Sequence, residues 1–339
     1  MPVLYTSAYE RAARLDGLGF LHPRALLGFA LDADFVRRLR RLSTPVHLSN
    51  HHLARYGRFL DVPYVVTVHD LIRHRDSAGA NGSPMIRRPT RRDRFLFELD
   101  DEAISSAAAV IAISEATRRE VIEWLGVSAE RVHVVRNGID HARFRPKDRR
   151  LHREPYVLFV GVEHPRKNLT GLLQAFAELK RQRRFSRLRL VKVGGPGYRG
   201  GRFRRRTNRA ISELGIGDAV ELAGRVDDDL LPAYYSGAEC LVVPSLQEGF
   251  GLPVVEAMAC GCPVIVSDRA SLPEIAGEAA LTSAPDPGSL ATALARVLDD
   301  PGLRDRLRER GLARARMFTW GEAATGTRAI YREALGAAA

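Results

Sequence analysis

Two glutamates beside a glycine turn, and a pair of adjacent cations, are the residues in this sequence best arranged for chemistry. The glutamates lie in Pro244-Ser245-Leu246-Gln247-Glu248-Gly249-Phe250-Gly251-Leu252-Pro253-Val254-Val255-Glu256-Ala257-Met258-Ala259-Cys260-Gly261. Read physically, a buried strand ends at Pro244, a glycine-containing turn follows, and a helix starts at Leu252 or Pro253, where proline suits the first turn. The amides of Phe250, Gly251 and Leu252 then have no partner inside the helix and point at a ligand near the carboxyl edge of a sheet. Glu248 sits in the turn and Glu256 early in the helix, with seven residues between them. Both carboxylates can accept hydrogen bonds from ligand hydroxyls on one side of a cleft. The competing reading makes Glu248 a helix cap and Glu256 a complement to the helix dipole. Two glutamates alone fit that reading; the whole block favours the ligand.

The cations are Arg166 and Lys167, in Val160-Gly161-Val162-Glu163-His164-Pro165-Arg166-Lys167-Asn168-Leu169. Leu169, Leu172, Leu173, Phe176 and Leu179 recur at helical spacing behind them, with Asn168 placed to cap the helix. Cations are disfavoured at a helix N-terminus unless an anion is present, so the pair points to a bound anion rather than a solvated helix start. His69 directly follows the candidate strand Tyr64–Val68 and precedes Asp70, the placement of a strand-end site, although a lone histidine also serves structural ends.

Elements of a particular kind must position these groups. Short β-branched runs predict strands at 46–48, 64–68, 109–113 and 132–135, then at 156–160, 188–193, 219–222, 240–243 and 263–266. Several of the later runs are nearly continuous in apolar residues, as in parallel strands covered on both faces. Their alternation with helical patterns predicts doubly wound α/β sheets. The charged, proline-bracketed stretch 146–155 divides the chain into a first domain, 1–150, and a second, 151–319. A final helix at about 320–336 is expected to pack back towards the first domain, and the polar stretch 76–84 reads as a loop.

Composition sets bounds. The chain has 339 residues, 45% of them hydrophobic and 27% charged, which suits two globular domains. No uncharged apolar run reaches the length of about 18 residues needed to cross a bilayer. The start has no basic segment followed by an apolar block, so no secretory signal is read there. Cys240, Cys260 and Cys262 form neither a disulfide framework nor a zinc ligand set, and read as buried thiols of a cytoplasmic protein. The net charge of +12 is mainly arginine, gathered at Arg37, Arg38, Arg40 and Arg41, at Arg87, Arg88, Arg91, Arg92 and Arg94, and at Arg199, Arg202, Arg204, Arg205, Arg206 and Arg209. Such clusters attract polyanions, and equally well simply decorate solvated faces. Only Tyr198 and Phe203 interleave with the last cluster, which argues against a nucleic-acid platform.

The block from Pro244 to Gly261 resembles the glutamate-seven-residues-glutamate signature of retaining glycosyltransferase family 4, enzymes of the two-Rossmann GT-B fold. Val160 to Leu169 resembles that family's phosphate-binding turn. Val66-Thr67-Val68-His69-Asp70-Leu71, Ala112-Ile113-Ser114-Glu115 and Val135-Arg136-Asn137-Gly138-Ile139-Asp140 resemble its first-half motifs. Ser271-Leu272-Pro273-Glu274-Ile275-Ala276-Gly277 and Phe318-Thr319-Trp320 fit downstream. The resemblance spans roughly residues 46 to 335 with the elements in order.

The resemblance implies roles. Glu248 touches the donor sugar together with the amides of Gly249, Phe250, Gly251 and Leu252, and Glu256 binds the ribose hydroxyls. Lys167 and Arg166 hold the diphosphate beside Gly161 and stabilise it as it leaves, without a metal or other cofactor. Backbone at Gly224, Arg225 and Val226 takes the base, and His69 faces the sugar from the first domain. Attack from the front face, with a leaving phosphate oxygen taking the acceptor's proton, needs no protein nucleophile. The Pro-Arg-Lys-Asn form resembles a branch that often uses GDP-mannose. Two features depart from the family pattern. The candidate opening strand Val3-Leu4-Tyr5-Thr6-Ser7 is followed by separated Gly17 and Gly19 rather than a double glycine, so the first domain reads as shortened. Val162 stands where many relatives carry arginine.

The expected activity is transfer of a hexose, mannose from GDP-mannose, to a glycan or polyprenyl-linked acceptor in cell-surface polysaccharide synthesis, in the cytoplasm and at the inner face of an anionic membrane. The alternatives are a nucleotide-sugar epimerase of the same fold and a degenerate, polyanion-binding relative. An epimerase needs acid-base residues around the sugar, and the sequence offers no carboxylate constellation beyond Glu248 and Glu256.

Overall fold

The computed structural model describes residues 35–72, 74, 90–149, 151–197, 200–334 and 336. The candidate opening strand, Gly17 and Gly19, the loop at 76–84, and Arg87, Arg88 and Arg199 lie outside them.

The first sheet is parallel, in the order β1 (Val46–Leu48), β2 (Tyr64–Val68), β3 (Ala109–Ala112) and β4 (Val132–Val134). Every residue of β2 and β3 is buried, which is why those runs read as continuously apolar. Helix α1 (Arg91–Ser105) starts at a reciprocal capping box between Thr90 and Asp93. Helix α2 (Glu115–Leu125) starts on the Ser114 hydroxyl, which accepts from the Thr117 amide, and stops at Gly126 in the left-handed region.

The second sheet holds β5 (Tyr156–Val160), β6 (Arg189–Val193), β7 (Val220–Gly224), β8 (Cys240–Val243), β9 (Val264–Ser267) and β10 (Leu281–Ser283). All are parallel, in the order β10-β9-β8-β5-β6-β7. Its helices are α3 (Leu169–Lys180), α4 (Gly200–Glu213), α5 (Leu231–Gly237), α6 (Leu252–Ala259), α7 (Leu272–Ala276), α8 (Pro287–Asp299) and α9 (Pro301–Ala315). One apolar layer packs Phe159, Leu172, Phe176 and Leu294 on one face of the sheet. A second packs Leu158, Val191, Leu241, Val255 and Met258 on the other. The strand order runs outward in opposite directions from β5 and β8, so the loops after these two parallel neighbours open on the same crevice.

Helix α10 (Trp320–Ala334) lies against the first sheet: Ile330 packs with Val65, Ala109 and Ile111, and Tyr331 Oη is 2.6 Å from His47 Nδ1. The two segments between the domains run side by side, with the Ile139 amide donating to Phe318 O at 3.2 Å. Gly138 is required there, since a Cβ would sit 2.2 Å from Trp320 N.

Two local expectations need correction. Asn168 occupies the start of α3 with φ +54°, but its side chain does not cap the helix; Nδ2 donates instead to Pro285 O at 2.7 Å. Strand β10 was not expected, because Leu-Thr-Ser at a sheet edge carries no apolar run.

Candidate active site

The loops after β5 and β8 meet at an ion cluster. Lys167 Nζ is bonded to Glu248 Oε1, Arg166 Nη1 lies 3.2 Å from Glu248 Oε2, and Ser245 Oγ donates to Oε1 at 2.8 Å. Arg166 also donates to Gln247 O at 3.1 Å, and its own carbonyl accepts from the Leu246 amide at 2.7 Å, lacing the two loops together. Glu248 is 8% exposed. Burial alone would raise its pKa, but Lys167 and Arg166 outweigh it and hold the carboxyl below its usual range. The anion that balances the two cations in this structure is therefore Glu248 itself. A phosphate arriving at Lys167 and Arg166 competes with that carboxylate, and Glu248, once released, can accept from a sugar hydroxyl.

His164 begins the short turn Pro165–Lys167, where its Nδ1 accepts from the Arg166 amide at 3.3 Å. Burial, then the charges of Arg166 and Lys167, pull its pKa down from 6.5 to about 4. The ring is neutral at pH 7 and carries its hydrogen on the buried Nε2, which has no hydrogen-bond partner among the described residues.

Beneath the cations the strand ends are interlocked. The Gly161 amide donates to Val193 O at 2.9 Å, and the Gly194 amide to Gly224 O at 2.6 Å. Gly194 has φ +113°, and a Cβ there would lie 2.5 Å from Gly161 O, so only glycine fits. Lys192, wholly buried on β6, donates to Gly195 O at 2.9 Å and to Glu163 Oε1 at 3.2 Å. Arg204 of α4 brings a second cation to the same carboxylate, its Nε 2.9 Å from Glu163 Oε1. Gly224 has φ +69°, Arg225 is exposed and Val226 packs on the core below. Sequence reading missed Gly194, Lys192 and Glu163 as supports. The signal available was a double glycine directly after a strand that contains a lysine.

Helix α6 starts at Gly251, φ +100°, with no side-chain cap, so its first-turn amides take no side-chain partner; Pro253 sits in that turn and Leu252 is exposed. The Phe250 ring is buried edge-on against Phe318 at 5.8 Å, which leaves only its backbone for a ligand. Glu256 is half-buried and accepts from Tyr235 Oη at 2.8 Å. Burial raises its pKa, and the Tyr235 bond offsets part of that.

The first domain reaches the same loop. His69 Nε2 donates to Ser49 O at 2.9 Å; a carbonyl only accepts, so Nδ1 is the free acceptor on the ring. The His69 carbonyl faces Gly249 so closely that a Cβ on Gly249 would lie 1.9 Å from it. The structure thus brings together His69, Gly161, Arg166, Lys167, Glu248 and Gly249, with Phe250, Gly251 and Leu252 following, while Gly224, Arg225 and Val226 lie at the end of β7 and Glu256 lies on α6. Ser114, Thr117 and Glu274 also contact this region, a role that sequence reading did not assign to them. Ser114 stands directly after the apolar run 109–113, as His69 does after 64–68, and that placement was the available signal.

The profile of the group 1 glycosyl transferases matches residues 140–314, and that of glycosyltransferase family 4 matches residues 4–143. The chain belongs to glycosyltransferase family 4. This hexosyltransferase has the GT-B fold, two Rossmann-like domains facing across a cleft. It is 32% identical over 320 residues to the MMP alpha-(1->4)-mannosyltransferase of Mycolicibacterium hassiacum, covering 92% of this chain and 73% of that one. It is 34% identical over 305 residues to the D-inositol 3-phosphate glycosyltransferase of Frankia alni, covering 86% and 74%. The chain spans about two thirds to three quarters of the length of such relatives. Sucrose-phosphate synthase of Thermosynechococcus elongatus superimposes with a TM-score of 0.74 at 27% identity, over 98% of this chain and 81% of that one.

The three cysteines are buried and form no disulfide. Among the described residues, no group of three or more His, Cys, Asp or Glu side chains is arranged to hold a metal, and no helix is long and apolar enough to cross a membrane. Arg37, Arg38, Arg40, Arg41, Arg202, Arg205, Arg206 and Arg209 are exposed.

Proposed function

We propose that this glycosyltransferase moves mannose from GDP-mannose to a glycan or polyprenyl-linked acceptor, with retention of configuration and without a metal. The observation that carries the reading is the Lys167–Glu248–Arg166 cluster at the β5/β8 crevice. Lys167 and Arg166 take the diphosphate and stabilise it as it departs, while Glu248 turns to a sugar hydroxyl. Amides at the start of α6 and His69 Nδ1 complete the sugar's surroundings, Glu256 takes the ribose, and backbone at Gly224, Arg225 and Val226 takes the base. A leaving phosphate oxygen accepts the acceptor hydroxyl's proton as the new glycosidic bond forms on the same face. The mannosyltransferase among the relatives supports the sugar assignment. The exposed arginines support a cytoplasmic enzyme that touches anionic membrane where a polyprenyl acceptor would lie.

The D-inositol 3-phosphate glycosyltransferases among the relatives favour a second reading, with a small phosphorylated acceptor and a different sugar. Incubation with GDP-mannose, with and without lipid-linked or phosphorylated acceptors, separates the two. Mannosyl product with the donor's anomeric configuration supports the first reading. A product formed only from another nucleotide sugar refutes it, and an isomerised nucleotide sugar released from donor alone identifies an epimerase.

A further inference from the structure

The loop that carries Glu248 is held by both domains, in alternation. Ser271 Oγ, from the loop's own domain, lies 3.0 Å from both Glu248 O and Phe250 O. The carbonyl between them, Gly249 O, accepts instead from the first domain: Ser114 Oγ at 2.8 Å and Thr117 Oγ1 at 3.3 Å. The Ser114 hydroxyl is fully buried and accepts from the Thr117 amide at 3.1 Å, and its one hydrogen is shared between Gly249 O and Thr117 Oγ1, 3.0 Å away, so the two hydroxyls act on Gly249 O together. One residue earlier, Gln247 Nε2 lies 3.4 Å from Glu120 Oε1 of α2. Glu274 reaches across to the Ala116 amide at 3.3 Å and to Arg136 at 3.1 Å. A carbonyl and a carboxylate of the second domain thus sit on the positive end of α2. Glu248 lies between two residues that the first domain holds.

We propose that the N-terminal turn of α2 is the clamp that places Glu248, with Ser114 and Thr117 as positioning residues for sugar transfer. This rests on the reading of Glu248 as the sugar contact. Neither hydroxyl touches the diphosphate site, whose cations come from the second domain alone. Loosening the clamp therefore lowers turnover without weakening the hold of the cations on the nucleotide. Glu274 and Arg136 steady the approach of the two domains.

The test compares wild type with Ser114→Gly, Thr117→Val and their double variant, and with Thr117→Ser, which keeps a hydroxyl. Glycine is tolerated at a helix cap, so Ser114→Gly removes the donor while leaving α2 nearly as stable. Amide hydrogen exchange over residues 245–252, GDP affinity by calorimetry, and kcat with GDP-mannose are measured on each. The clamp predicts faster exchange in that loop, GDP affinity that does not fall, and kcat lower by about 10- to 100-fold in the double variant. Thr117→Ser is expected to stay near wild type. Unchanged loop exchange, or GDP affinity falling in step with kcat, overturns the proposal. If the wild type binds neither GDP nor GDP-mannose, the donor reading fails, and the exchange comparison still decides whether the clamp exists.

Discussion

Glu248 and Lys167 satisfy each other, and that mutual occupation makes opposite predictions for the two. Lys167→Ala removes a charge-assisted partner of phosphate worth about 1.5–3 kcal/mol, so GDP affinity falls about 10- to 100-fold. Glu248→Gln removes the competitor for the same cations, so GDP binds about 3- to 10-fold more tightly while sugar transfer collapses. Calorimetry with GDP on both variants reads this directly; equal weakening in both would show that the pair is only structural. His164 sets a pH dependence. Its pKa is about 4 in the folded protein against 6.5 ordinarily, so the unfolded chain binds the proton first as pH falls. Stability contributed by the neutral ring is whole above pH 6.5 and is lost down to about pH 4. His164→Asn keeps a cap acceptor and does not titrate, so its denaturation midpoint should fall less steeply across that window. His47, also lowered to about 4, by burial and then by His69, supplies a remaining slope in both proteins. Residue type and placement made Lys167 and Arg166 legible as a cation pair in need of an anion, and Glu248 as a turn carboxylate. Their mutual pairing was not legible, because sequence does not say which anion balances a cation.

At the scale of elements, the site depends on how closely three strand ends approach one another. Gly194→Ala forces a side chain into the left-handed region and against Gly161 O, and is expected to cost about 2 kcal/mol or more. Urea denaturation reads the loss, and an unchanged midpoint would mean that the turn relaxes freely. Nine of the ten described strands were legible, because β-branched runs buried on both faces leave a continuous apolar signature. Boundaries shifted by one or two residues where an apolar run continued past the end of the strand, as at Ile113 and Val135. β10 escaped because edge pairing needs no apolar residues. Asn168 misled because its type suits a cap, whereas the chain uses its tolerance of positive φ instead.

At the scale of the whole molecule, two crossings and the α2 clamp join the domains, and α10 returns the end of the described chain to the first sheet. The order of motifs revealed the two-domain fold and the return of the last helix to the first domain; the loop contacts between domains could not be read, since they depend on how two separately folded surfaces meet. The exposed arginines predict binding to vesicles containing anionic lipid at low salt, abolished at high salt. Co-sedimentation checks it, and no binding at low salt removes the membrane from the account. The central claim is that Lys167, Arg166 and Glu248 form a nucleotide-sugar site. It is tested most directly by thermal stabilisation with GDP, UDP, ADP and their mannose, glucose and GlcNAc conjugates, on wild type and on Lys167→Ala. The account predicts a selective rise in melting temperature with one nucleotide set in the wild type, guanine being the expected base, and its loss in the variant. No shift with any of them in a folded sample, or the same shift in both proteins, would contradict it.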